Sequence, residues 1–69
     1  MIPLYCKQIR TLRITHKYTQ ADVACFLSIR QEQYSKYESG VRELPIHLLI
    51  KLCKLYRVPS DYILGIHIN

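Results

Sequence analysis

The sequence contains little that would interrupt a helix, since glycine occurs twice and proline three times among 69 residues. Tryptophan is absent. The apolar fraction of 49% and the charged fraction of 22% are typical of a globular chain and argue against disorder. We therefore expect one small domain over residues 1–69, of the all-α class.

Cysteine and histidine are also few, which bears on disulfides and metal sites. Cys6, Cys25 and Cys53 are odd in number and lack Cys-x-x-Cys or zinc-ligand spacing. The histidines at positions 16, 47 and 67 have neither short mutual spacing nor cysteine partners. We expect reduced thiols, at least two of them packed inside the protein, with no metal and no cofactor.

Long apolar runs and the usual marks of an enzyme are missing as well. No segment approaches the roughly 20 apolar residues that span a bilayer, and the start "MIPLYCKQIR" has no signal-peptide pattern. The sequence shows no nucleophile and base pair, no paired carboxylates and no phosphate-binding glycine loop. We expect a cytoplasmic protein that is not an enzyme, does not span a membrane and has no small-molecule substrate.

Positive charge is what the chain has in excess. Ten Lys and Arg residues stand against five Asp and Glu residues, giving a formal charge of +5 and a pI near 9.3. This balance suits an anionic partner, either nucleic acid or an acidic membrane surface. Charge alone does not distinguish the two.

Apolar spacing and helix-end residues predict three helices in the first 40 residues. The first covers residues 3–16, with its proline in the first turn. The second opens near Gln20, where Thr19 and Asp22 have the form of a capping box. The third ends at Gly40, because glycine readily takes the left-handed conformation that ends helices.

Two further helices are predicted in the second half of the chain. Pro45 is placed in the first turn of the fourth helix, and Ser60 and Gly65 are expected to begin and end the fifth. Apolar residues lie nearly all round the fourth helix, which favours a position in the middle of the bundle. The residues expected in the core include Phe26, Tyr34, Tyr37, Leu49 and Leu52.

The third helix, within "SIRQEQYSKYESG", carries hydrogen-bonding groups on its outward side. With Tyr34 and Tyr37 inward, Glu32, Ser35 and Lys36 point outward, and Gln31 and Gln33 lie on the flanks. An ordinary solvated helix face would have the same composition. However, the preceding capped helix and a turn around Ser28 complete a helix-turn-helix of about 20 residues, whose second helix enters the major groove of DNA. Glutamine can bond adenine, lysine guanine and glutamate cytosine, so this face is suited to reading bases.

Ser28 has a second interpretation. The pattern Ser28-x-x-Gln31 also has the form of a capping box. If Ser28 capped the third helix, that helix would begin one or two residues early and Gln31 would serve partly as a capping residue.

Nearly the whole chain resembles the Cro/C1-type helix-turn-helix domain, a five-helix, lambda-repressor-like bundle. The resemblance rests on "TQADVACFLSIRQEQYSKYESG" at residues 19–40 and on "RELPIHLLIKLCKLYRVPSDYILG" after it. Its specific points are Thr19 and Gln20 opening the second helix, Glu38 two residues before Gly40, Pro45 opening the fourth helix, and "VPSDYIL" near the end.

The resemblance implies a role for particular side chains. The positions that read bases in relatives are Gln31, Glu32 and Lys36. The positions that contact the DNA backbone are Gln20, Arg30, Gln33, Ser35 and Arg42. Arg13 and Glu38 match an internal ion pair between the first helix and the end of the third. Relatives often have glycine where this chain has Lys17, Ser28 and Arg57, which are positions in tight turns.

The expected function is a transcriptional regulator that binds double-stranded DNA sequence-specifically. Because only a DNA-reading domain is visible, we expect a repressor that occupies a promoter, bound as a homodimer to a palindromic operator. The dimer interface is assigned to Tyr62, Ile66 and Ile68. An equally open alternative is that Ile66 and Ile68 cover the core of the monomer.

A different class of function uses the same fold as a protein-interaction module. Such a module would be antitoxin-like or would bind a partner regulator. It predicts apolar residues at positions 31, 32, 35 and 36, and the chain has none there.

Overall fold

The computed structural model describes residues 2–66, which contain five α-helices. The helices are α1 (Leu4–Thr15), α2 (Gln20–Leu27), α3 (Gln31–Ser39), α4 (Ile46–Tyr56) and α5 (Ser60–Leu64). No strand occurs in this range, so the predicted all-α class is confirmed. Helix α3 packs against α1 and α2, while α5 packs against α1 and α4.

The starts of the helices follow local chemistry closely. The predicted capping box at α2 is present: the Asp22 amide donates to Thr19 Oγ1 at 3.0 Å, and the Thr19 amide donates to Asp22 Oδ2 at 2.8 Å. Pro45 precedes α4 as its N-cap, and Pro59, not Ser60, holds that position before α5. Pro3 is likewise the N-cap of α1, so three starts were predicted one residue off. The fixed φ of proline is compatible with the extended residue before a helix as well as with its first turn.

Left-handed residues end four of the five helices described, and the one at position 28 shows that a prediction was wrong. Gly40 and Gly65 end α3 and α5 as predicted, with φ of 82° and 74°. Ser28 takes φ of 60° and ends α2, so it does not cap α3. Arg30 precedes α3 in extended conformation, without a side-chain cap. Gln31 is therefore the first residue of α3 and has no capping role.

The core is built from all five helices, but two predictions about it were wrong. Tyr34, Tyr37, Leu49 and Leu52 are buried as expected, whereas Phe26 is 47% exposed. Val23, Ala24 and Leu27 form the inward side of α2, and Phe26 lies about 100° away around the helix. Helix α4 is not surrounded by the bundle, since its apolar residues at positions 46 and 50 are 74% and 49% exposed.

The three cysteines are free. Cys6 is buried and its thiol donates to the Tyr37 carbonyl oxygen at 3.2 Å. Cys53 is half-buried and Cys25 is exposed. Burial raises the pKa of the Cys6 and Cys53 thiols, which keeps them protonated and packed like small apolar side chains.

No helix within residues 2–66 has the length and apolar character needed to cross a membrane. The same residues contain no group of three or more histidine, cysteine, aspartate or glutamate side chains placed to hold a metal ion.

Candidate nucleic-acid interface

Helices α2 and α3 are joined by a tight turn that fixes their relative position. The Ser28 amide donates to the Cys25 carbonyl at 3.1 Å and the Ile29 amide to the Ala24 carbonyl at 3.0 Å. Ile29 packs half-buried against the core. Arg30 then turns into extended conformation and α3 begins. This is the helix-turn-helix arrangement that the sequence predicts.

Helix α3 has one buried side and one exposed side. Tyr34, Tyr37 and Glu38 are buried. The residues assigned to base reading, Gln31, Glu32 and Lys36, are all exposed. In the described part of the chain, neither Glu32 nor Lys36 forms an ion pair. Their polar groups are therefore available to a partner.

Two shallow hollows border this exposed side. The α2–α3 hollow, of about 470 Å³, is lined by Gln20, Gln31, Glu32, Ser35 and Lys36. The α3–loop hollow, of about 400 Å³, is lined by Arg30, Glu32, Gln33, Lys36, Tyr37 and Arg42. Glu32 and Lys36 belong to both hollows and thus stand between them. The structure therefore brings all eight residues assigned to DNA onto one continuous surface.

Two of these eight side chains are already oriented by the protein. Gln33 Nε2 donates to the Tyr37 hydroxyl at 2.8 Å, which ties this flank of α3 to its buried side. Gln20 Nε2 donates to Glu38 Oε1 at 3.3 Å. The sequence did not predict this second contact, because Gln20 and Glu38 are 18 residues apart.

Arg13 and Glu38 form a bidentate ion pair between α1 and α3. Arg13 Nε donates to Glu38 Oε2 and Arg13 Nη2 to Glu38 Oε1, each at 2.9 Å. Arg13 Nη1 also donates to the Tyr18 carbonyl at 3.0 Å. The Arg13 and Glu38 side chains are 13% and 4% exposed. The pair therefore joins α1, α3 and the loop before α2 in a largely dry setting.

The surroundings keep Glu38 charged. Burial alone would raise the pKa of its carboxyl group, but hydrogen bonding from Arg13 and Gln20 and the nearby Tyr34 hydroxyl lower that pKa by more. Hydrogen bonding to Glu38 raises the pKa of Arg13, although burial opposes it. Within residues 2–66 the buried Tyr34 hydroxyl lies beside Glu38 without a hydrogen bond of ordinary geometry. Burial raises the pKa of this hydroxyl.

The residues assigned to a dimer interface are only partly described. Tyr62 and Ile66 are 46% and 51% exposed, and the Tyr62 carbonyl accepts a hydrogen bond from Gln8 Nε2 at 3.2 Å. Ile68 lies outside the described residues. About half the surface of each described side chain is thus open to a partner, and the dimer stays a prediction.

Comparisons with known proteins bear on the same surface. A helix-turn-helix family model matches residues 9–63, which include the whole of α2 and α3. The chain belongs to the helix-turn-helix family. The resemblance to the Cro/C1-type domain is thereby confirmed, and with it the five-helix fold.

Several relatives of this family member come from bacteria. This chain is 38% identical over 63 residues to the uncharacterized HTH-type transcriptional regulator YobD of Bacillus subtilis. The match covers 91% of this chain and 56% of YobD. The chain is 37% identical over 59 residues to the HTH-type transcriptional regulator ImmR of the same organism, covering 86% of this chain and 46% of ImmR. The chain thus spans about half the length of these relatives.

A third relative carries a different functional name. The antitoxin PezA of Streptococcus pneumoniae is 32% identical over 59 residues, covering 86% of this chain and 37% of PezA. No solved structure matches the chain.

Proposed function

We propose that this helix-turn-helix domain binds double-stranded DNA sequence-specifically and regulates transcription. The observation that carries the proposal is the exposed side of α3, where Gln31, Glu32 and Lys36 point away from the protein. None of the three is used for capping, and the two charged ones have no ion-pair partner within residues 2–66. A helix presenting such groups from its first turns is suited to the major groove.

The three side chains differ in the bases they would recognise. Gln31 can bond adenine bidentately, and Lys36 can donate to guanine O6 and N7. Glu32 can accept from cytosine N4, but its charge is unfavourable near phosphates. Glu32 therefore favours selective reading of bases over tight binding to any sequence.

The backbone contacts are assigned to the borders of the same surface. Arg30 and Arg42 line the α3–loop hollow on one side, and Gln20 and Ser35 line the α2–α3 hollow on the other. Gln33, held by Tyr37, lies on the flank of α3. Contacts to phosphates from both sides would fix the helix in its register without reading sequence.

We also propose a homodimer that represses by occupying a promoter. A single module of this size covers only about 600–1,000 Å² of DNA-facing surface, and two copies related by a two-fold axis would read a palindromic operator. Tyr62 and Ile66, both about half exposed, are the described candidates for the interface, and Ile68 is the third candidate. Repression is the simplest consequence of binding across a promoter.

The second candidate function is a protein-interaction module, which the antitoxin relative supports. The centre of a protein-docking surface is usually depleted in charged residues, whereas the exposed positions of α3 include Glu32 and Lys36. The DNA-binding function is therefore the one that this surface favours.

Selection from a random duplex pool tests the proposal. The purified protein is mixed with the pool at near-physiological salt, and the retained duplexes are sequenced. We expect an enriched inverted repeat whose half-sites are about one helical turn apart. Retention that depends on salt but enriches no sequence would contradict base reading and leave the protein-interaction module as the better explanation.

A further inference from the structure

A third hollow adjoins the surface assigned to DNA and extends it onto α1. This α1–α3 hollow has a volume of about 400 Å³ and includes Gln20, Ser35, Glu38, Lys7 and Arg10 in its lining. Gln20 and Ser35 also line the α2–α3 hollow, so the two hollows are continuous. The proposed DNA surface therefore does not stop at α2 and α3.

The charges in the α1–α3 hollow favour an anion. Lys7 and Arg10 are exposed cations on α1. The carboxylate in the lining belongs to Glu38, whose side chain is 4% exposed and is already bound by Arg13. A ligand in the hollow would therefore meet two open cations and a neutralised carboxylate.

The same carboxylate lies beside two donors of the hollow. Glu38 Oε1 accepts from Gln20 Nε2 at 3.3 Å and lies 4.0 Å from Arg10 Nε. The Arg10 side chain is nevertheless 65% exposed, so most of its donors are free. The Arg10 guanidinium is therefore open to a phosphate, to which it can donate two parallel hydrogen bonds.

We propose that the α1–α3 hollow binds a phosphate of the DNA strand, with Lys7 and Arg10 as its cationic contacts. This inference rests on the proposed DNA-binding function and deepens it. The contact is sequence-independent, so Lys7 and Arg10 supply affinity and salt dependence while α3 supplies base specificity.

The experiment compares two double variants that lose the same positive charge. Lys7→Ala with Arg10→Ala removes the cations of the hollow. Lys51→Ala with Lys54→Ala removes two exposed cations of α4 that line none of the three hollows on the DNA side. Affinity for a short duplex of mixed sequence, and for the selected operator, is measured over a series of salt concentrations. Circular dichroism checks that each variant keeps its helices.

Affinity falls as salt rises, so the slope of log affinity against log salt is negative. Removing one phosphate contact makes this slope less steep by about one. When salt is raised from about 50 to about 200 mM, the factor by which DNA affinity falls should then be about threefold smaller in the Lys7 and Arg10 variant than in wild type. Affinity should fall by the same factor on both duplexes, and the Lys51 and Lys54 variant should keep the wild-type slope.

Three outcomes would overturn the inference. The first is that wild type binds DNA but the Lys7 and Arg10 variant keeps the wild-type slope. The same conclusion would follow if the Lys51 and Lys54 variant changed the slope by as much as the Lys7 and Arg10 variant does. The second is a Lys7 and Arg10 variant that loses affinity for the selected operator but not for the duplex of mixed sequence, which would assign the two cations to base reading. The third, a wild type that binds neither duplex, would overturn the proposed function itself.

Discussion

Removing Arg13 should destabilise the domain strongly, because it leaves a buried charge without its main partner. The Glu38 side chain is 4% exposed and receives two hydrogen bonds of 2.9 Å from Arg13. Breaking a buried ion pair from one side costs about 3–5 kcal/mol of unfolding free energy. Gln20 still donates to the carboxylate and Arg10 lies 4.0 Å away, so we expect the lower end, about 3 kcal/mol.

This loss is large for a domain of 69 residues, whose total stability is of the order of 3–10 kcal/mol. Urea titration followed by circular dichroism would measure it. The control is Arg13→Met combined with Glu38→Met, which removes both charges and fills the space with apolar side chains. This double variant should be more stable than Arg13→Ala, because no buried charge remains unpaired.

The pH dependence provides a separate test of the same contact. In wild type the pKa of Glu38 is lowered, so the ion pair stabilises the folded state above the usual carboxyl pKa of about 4.3. That contribution is lost as the pH falls through the lower folded-state value. Without Arg13, burial dominates and should raise the pKa of Glu38 above its usual value. The difference in unfolding free energy between wild type and Arg13→Ala should then be smaller at about pH 5 than at about pH 7.

The reasoning would be refuted by either of two results. One is a cost below about 1 kcal/mol for Arg13→Ala, which is the size expected of an exposed pair. The other is a difference between wild type and Arg13→Ala that stays constant across that pH range.

Three further predictions concern other parts of the molecule. Lys36→Ala should relax base preference at one operator position by about 1–3 kcal/mol, as measured by competition between operator variants; equal weakening on every duplex would contradict base reading. Ser28→Gly should stabilise the fold by about 0.5 kcal/mol in urea titration, because the relief of left-handed strain exceeds the entropy cost of glycine. The control, Ser39→Gly at the helical end of α3, should destabilise the fold. A loss of stability in Ser28→Gly would refute the strain argument. Tyr62→Asp should shift sedimentation toward the monomer if α5 forms the dimer interface, and an unchanged profile would remove Tyr62 from it.

Much of the fold was predictable because its signals are local. The capping box of Thr19 and Asp22 and the left-handed Gly40 and Gly65 each depend on atoms within a few residues. Ser28 shows where local signals conflict, since it suits both the end of α2 and the start of α3. The hydrogen bond from the Ile29 amide to the Ala24 carbonyl and the packing of Ile29 on the core decide in favour of the first.

The residues of the proposed DNA surface show the same division between local and tertiary causes. The sequence alone determined that α3 would carry Glu32 and Lys36 on its outward side and Gln31 on the flank, because a helix places its side chains by a fixed rotation. Only the tertiary structure decided that Phe26 is exposed, that Gln20 bonds Glu38, and that Lys7 and Arg10 of α1 border the same surface. These facts depend on which helix faces another across the core, and no local pattern specifies that arrangement.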